Sequence, residues 1–256
     1  MLLICPCHTS EFLTEHNLGV EAHIGRYDKL PGWDRYVPFV HGVHLPYANL
    51  NLASFDDDLR KHSVESVKAA MDIGCQYPVD RMVMHTMGIE TKGEDIVGSY
   101  ERMIDGIQQL ADYAATKKII LCLENQVLHP ATRRTFGSFA WEWFMIQKDV
   151  NRSNVLLTLD TSHAATSAAA YATAEERFAY LYEYLKYPEL IGRVHWSDAR
   201  LANREAYFCD MHLIPGMGDL PVEFHRRIKS LDAVKTLEQK EPEEAVKKGL
   251  AFIETL

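Results

Sequence analysis

Residues 119–124 read Ile-Ile-Leu-Cys-Leu-Glu, five apolar residues in a row closed by a carboxylate. A short apolar run without alternation predicts a strand of a parallel sheet covered on both faces. Ending it on glutamate is unexpected, because burying an unpaired carboxylate costs several kcal/mol. The same arrangement recurs in both directions along the chain. His44 closes FVHGVH (39–44), His85 closes RMVMH (81–85), Asp160 and His163 follow in VLLTLDTSH (155–163), His195 closes GRVH (192–195) and Glu238 closes AVKTLE (233–238).

Eight β-like runs can be placed, at 2–7, 19–24, 39–45, 81–86, 119–125, 155–161, 192–198 and 233–239. Helix-like stretches fall at 56–74, 94–117, 137–150, 173–187, 221–230 and 242–255. Acidic residues open the first of these and Gly74 closes it, as helix ends favour. Between the second and third strands, RYDKLPGWDRYVP (26–38) holds two prolines and a glycine, so a degraded helix is expected there. Strand–helix alternation of this kind predicts an α/β fold, a single (β/α)8 TIM barrel filling residues 1–256 as one domain. A doubly wound open sheet is the alternative. It would not gather residues from six strand ends around one centre, whereas a barrel does so by construction.

The chain has 256 residues, 47% hydrophobic and 25% charged, with a net charge of −9. Nothing in that balance favours nucleic acid or an anionic membrane globally. No run reaches the roughly 18–20 apolar residues of a membrane span, and MLLICPCHTS lacks the basic start of a secretory signal. Five cysteines without repeated spacing argue against a disulfide framework, and Cys5 and Cys7 read as buried thiols. The expectation is a reduced cytoplasmic protein.

Imidazole and carboxylate are the ligands that first-row divalent cations take. The candidates are His44, His85, Glu124, Asp160, His163, His195, Glu238 and the Asp210–His212 pair of the D-M-H loop. Glu124 and Glu238 carry the physical argument: a cation between them would remove both the burial penalty and their mutual repulsion. Asp198, three residues after His195, is the expected partner for an imidazole N–H. His8, His16, His23, His41, His62, His129 and His225 read as ordinary core or rim histidines, although His8 and His23 could line the barrel mouth. Nine ligands exceed what one ion takes, so two or three ions would be bound if all serve. Clusters of that kind suit attack on phosphate esters.

In the same order, VHLPYANLNLA (43–53), VMHTMG (83–88), LENQ (123–126), LDTSHA (159–164), VHWSDA (194–199), DMHLIPGMGD (210–219) and LEQK (237–240) resemble motifs of the xylose-isomerase-like TIM-barrel superfamily. The metal-ligand set resembles most the endonuclease IV-type AP endonucleases, and the chain is also similar to sugar phosphate isomerases and epimerases. The first resemblance implies a zinc phosphoesterase with two or three Zn2+ ions, acting on a phosphate ester, with abasic DNA among the candidate substrates. Glu124 would bridge ions, Glu238, Asp160 and His195 would share the deepest sites, and His163 and Asp198 would join the catalytic group. Departures stand beside it: Ala48 occupies the position of a DNA-bending wedge, ATSAAAY follows LDTSHA, and the D-M-H segment lacks basic neighbours. Only Arg26 and Arg35 offer groove contacts.

The second resemblance implies one Mn2+ or Mg2+ ion on Glu124, Asp160, His195 and Glu238, with the two glutamates passing a proton between the faces of a small sugar. Pro130 stands where ketose epimerases carry another glutamate. Tyr47, Trp196 and Arg200 are the candidate substrate contacts, Trp196 reading equally as packing beneath its loop; Trp141, Trp143 and Phe144 read as an exposed helix face or a subunit contact, with at least one of them in the core.

Overall fold

The computed structural model describes residues 1–29, 31–87, 98–128, 135–201 and 209–256. Eight parallel strands close into a barrel in sequence order: β1 (Leu2–Ile4), β2 (Leu18–His23), β3 (Val40–His44), β4 (Arg81–His85), β5 (Ile120–Glu124), β6 (Val155–Asp160), β7 (Ile191–His195) and β8 (Val234–Leu237). All eight expected strands are present. Closure is made by β1, which pairs with β2 on one side and β8 on the other.

The helices are α1 (Ser10–Glu15), α2 (Asp57–Gly74), α3 (Tyr100–Thr116), α4 (Ala140–Val150), α5 (Thr161–Ala168), α6 (Ala174–Glu183), α7 (Val222–Ser230) and α8 (Glu243–Thr255). Asp56 caps α2 by accepting from the Asp58 and Leu59 amides, and Ser99 caps α3 through Arg102 N–H. The proline-rich stretch after β2 forms two short 3-10 turns, Trp33–Arg35 and Val37–Phe39. That matches the expected loss of a helix there. Two helices were not expected: α1, of six residues, and α5, which starts directly at the end of β6. Residues 94–97 of the helix expected at 94–117, together with His129 and Pro130, lie outside the described residues.

Apolar side chains from both sheet faces and the inner helix faces form one core, with Trp143 fully buried in it and Trp141 58% exposed. The barrel axis is partly polar. A Cβ added to Gly42 would lie 2.6 Å from Leu3 Cδ1 and 2.7 Å from Arg193 Nη2. Glycine there is what lets an arginine enter the barrel. Cys5 is buried as expected, but Cys7 is exposed, because the chain turns outward at the end of β1. No described helix is long and apolar enough to cross a membrane.

Candidate metal centre

Parallel strands aim their C-terminal residues at one barrel mouth, and the ligand candidates sit there. His44, His85, Glu124, Asp160 and His195 are the last residues of β3 to β7, and Glu238 follows β8 directly. His163 stands in the first turn of α5, whose N-cap is Asp160: Asp160 Oδ1 accepts from the His163 amide at 2.8 Å. The Asn125 side chain ties β5 to β6, accepting from Asp160 N at 2.7 Å and donating to Asp160 O at 3.0 Å.

Glu124 is the hub. Its Oε1 lies 2.9 Å from His195 Nδ1 and 3.6 Å from His163 Nδ1, and its Oε2 lies 3.2 Å from His44 Nε2 and 3.0 Å from His85 Nε2. Glu238 Oε2 is 3.5 Å from His195 Nδ1 and 3.3 Å from His212 Nδ1. Asp210 Oδ1 is 3.0 Å from His212 Nε2 and 3.8 Å from His163 Nε2. All nine sequence candidates therefore meet at one mouth. His212 adopts a left-handed backbone conformation, φ 45°, which is uncommon outside glycine and marks a constrained position. Its amide donates to Ser162 Oγ at 3.0 Å.

Two histidines are oriented by carbonyls. His44 Nδ1 donates to Leu45 O and His163 Nδ1 to Asn125 O, both at 2.8 Å, which leaves their Nε2 atoms facing the carboxylates. Tyr47 stacks flat on His85, centroids 4.0 Å apart.

Burial alone would raise the Glu124 and Glu238 pKa values. The neighbouring histidines reverse this: His195 and His85 hold Glu124 well below the usual range, and His195, His23 and His212 do the same for Glu238. On the other side, burial opposes charge on the imidazoles, yet the carboxylates raise His44, His163 and His195, and bring His212 to about 10. His85 shares Glu124 Oε2 with His44 but stays low, through burial and the charge of its neighbour.

A raised histidine stabilises the fold fully below its ordinary pKa of 6.5, and that contribution fades as pH rises through the folded value. Protein stripped of metal is therefore expected to lose thermal stability between about pH 6.5 and pH 10. Metal affinity should rise over the same range, as protons leave the imidazoles. Melting curves with and without chelator check this, and pH-independent curves would contradict it.

The residues fit a divalent cation. Asp160 Oδ2 is buried without a hydrogen-bond partner among the described residues, and Asp210 Oδ1 and His212 Nδ1 are buried with ion-pair contacts alone, to His212 Nε2 at 3.0 Å and to Glu238 Oε2 at 3.3 Å. Ligand atoms lie within 4.8 Å of one another in three groups drawn from the candidates: Glu124–Asp160–His195–Glu238, His44–His85–Glu124 and Asp160–His163–His212. A fourth such group joins Glu238 to Glu21 and His23.

Glu21 and His23 were not among the expected ligands. His23 lines the mouth from β2 and stacks on His44 with centroids 4.3 Å apart, while Glu21 lies in the barrel interior with Oε1 2.9 Å from His195 Nε2. The available signal was a glutamate inside GVEAHI, an acidic residue in mid-strand where burial demands a partner.

Three expectations on other residues need correction. Asp198 does not pair with His195, whose two nitrogens are taken by Glu124 and Glu21 at 2.9 Å each. Instead Asp198 faces away from the mouth, its carboxylate accepting from the amides of Ala199, Gly216 and Leu220 and lying 3.3 Å from His225 Nε2. It anchors the loop that carries Asp210 and His212. Asp198→Ala, at a site 1% exposed, is expected to cost roughly 3–5 kcal/mol, measured by denaturant unfolding; a loss under about 1 kcal/mol would contradict the anchoring role. Trp196 is buried, donating to His225 Nδ1 at 2.9 Å, and does not line the cavity. Arg200 points to solvent beside Asp219, 3.8 Å away, because the chain after β7 turns off the mouth.

Above the ligands opens a cavity of about 560 Å³, within the range of small-molecule sites. Tyr47, Tyr27, Arg26, Met211 and Lys240 help to line it. Arg35 lies away from it, stacked on Tyr36.

A family model described as xylose isomerase-like TIM barrel matches residues 34–256. The chain belongs to the xylose isomerase-like TIM barrel family. An uncharacterised protein of Methanocaldococcus jannaschii is 26% identical over 211 residues, covering 80% of this chain and 66% of that protein. The chain thus spans just under two thirds of that curated relative's length.

Among solved structures, a D-tagatose 3-epimerase-like protein superposes with a TM-score of 0.73 at 23% identity, covering 100% of this chain and 99% of the other. The IolI protein with a bound zinc atom superposes at 0.70 and 17% identity, covering 99% and 98%. Further neighbours of the family fold are mainly sugar epimerases and isomerases. At these identities the likeness is one of fold.

Proposed function

We propose that this chain is a divalent-metal-dependent isomerase or epimerase of a small sugar or sugar phosphate, with a proton passed between Glu124 and Glu238. The observation that carries the reading is the quartet Glu124, Asp160, His195 and Glu238, four ligand atoms within 4.8 Å beneath a small-molecule cavity. The sugar epimerases and isomerases among the solved structures of similar fold support it.

A cation held by this quartet would be Mn2+, Mg2+ or Zn2+, and when bound supplies polarisation of the substrate carbonyl. The residues do the rest. One glutamate, anionic among its histidine neighbours, would remove the proton beside the carbonyl and become the neutral acid, while the other, protonated on entering the step, would return its proton from the opposite face and leave as the carboxylate. Tyr47 and Arg26 line the cavity where the sugar hydroxyls would lie. Incubating metal-loaded protein with ketoses, aldoses and their phosphates should reveal isomer interconversion that disappears with chelator. Failure across the panel would count against the reading.

One observation favours a second reading, a zinc phosphoesterase of the endonuclease IV type with two or three ions. His85, Asp210 and His212 converge on the same mouth, although the quartet does not need them. Asp210→Ala with His212→Ala separates the two: sugar turnover should survive within about tenfold, whereas a multinuclear phosphoesterase should lose about 10²-fold or more.

A further inference from the structure

Outside the ligand set, a fully buried ionic contact of the barrel runs from β2 to β7. Glu21 and Arg193 form a salt bridge at 1% and 0% side-chain exposure. Arg193 also donates to Thr236 Oγ1 of β8 at 3.1 Å, and Thr236 Oγ1 in turn contacts Glu21 Oε2 at 3.1 Å. The other Glu21 oxygen, Oε1, lies 2.9 Å from His195 Nε2.

Such a pair is costly to maintain inside a barrel. Packing alone does not explain it, since an apolar side chain in place of each would fill the space. Gly42 leaves room, without a Cβ, where the guanidinium passes.

Comparison with the other histidines suggests a purpose. His44 and His163 have Nδ1 on a backbone carbonyl and present Nε2 to the carboxylates. His195 is reversed: Nδ1 faces Glu124, Glu238 and Asp160, so Nε2 must be held from behind. Among the described residues no backbone carbonyl takes it; Glu21 does. We infer that Glu21, itself fixed by Arg193 and Thr236, is the positioning residue that keeps the proton of His195 on Nε2 and delivers Nδ1 as a metal ligand. A carboxylate behind a ligating imidazole also raises its basicity and thus its grip on the cation. This assigns the barrel's interior ion pair to the metal site, and it rests on reading His195 as a ligand.

The test titrates Zn2+ into chelator-stripped protein and follows the affinity of the tightest site. Two double variants both lack the guanidinium and differ only in what faces His195: Glu21→Leu with Arg193→Met, and Glu21→Gln with Arg193→Met. Removing the ion pair as a unit leaves no unpaired charge, so both should fold, with melting temperatures of the stripped proteins near wild type.

The leucine variant should bind Zn2+ about 10–100-fold more weakly. The glutamine variant, whose amide oxygen still accepts from Nε2–H, should recover most of that loss. If both variants bind as wild type does while His195→Ala binds weakly, the positioning role is wrong and the site reading survives. If His195→Ala also binds as wild type does, the reading of His195 as a ligand falls, and this inference with it.

Discussion

Glu124→Gln is expected to lower sugar turnover about 10²–10⁴-fold, the range for loss of a positioned acid–base group. The substitution keeps shape and volume, so the barrel should still form. It removes the one charge around which His44, His85, His163 and His195 gather, at 3.2, 3.0, 3.6 and 2.9 Å. An amide also offers a donor on one side, where every neighbour is an imidazole able to donate. The defect should appear in kcat at saturating metal, accompanied by weaker metal binding. Near-normal kcat with a full complement of metal would remove Glu124 from the chemistry and leave it a structural hub.

Removal of the metal should be as severe. Chelated protein is expected to have no measurable turnover, with activity restored by adding back a single divalent cation. Because the cation binds only the folded chain, it should also raise stability, by about 2.7 kcal/mol at a hundredfold excess over Kd. For a chain near this size, each kcal/mol moves the melting temperature by about 2–4 °C. Calorimetry with and without metal reads this directly. Turnover that persists in protein shown by elemental analysis to be metal-free would refute metal dependence.

Strand order and ligand set were both legible in the chain for one reason. Parallel strands buried on both faces must be continuously apolar, so a terminal His, Asp or Glu stands out against them. Short buried helices give no such signal. Every residue of α5 is buried, so its sequence TSHAATSA has no polar face and no period to detect. The six residues of α1 are too few to display one.

Partnerships across the barrel were hidden for a different reason. Glu21 and Arg193 are 172 residues apart, and neither run around them shows that the other exists. Asp198 illustrates the limit of local reasoning. Three residues from His195 suggested a pair, but its partners are His225 on α7 and the amides of the loop it anchors. Arg200 and Trp196 were placed at the substrate by the same nearness in sequence, and the turn after β7 carries one into solvent and the other into the core.

The central claim is proton transfer next to a sugar carbonyl, and its most direct test is isotope exchange. Metal-loaded protein would be incubated with candidate ketoses and their phosphates in D2O, and the recovered sugar examined by NMR. The account predicts deuterium at the carbon beside the carbonyl, at a rate that falls with Glu124→Gln and vanishes with chelator. An unlabelled sugar pool, together with metal-dependent cleavage of a phosphodiester by the same preparation, would contradict it and make the multinuclear phosphoesterase the function of this site.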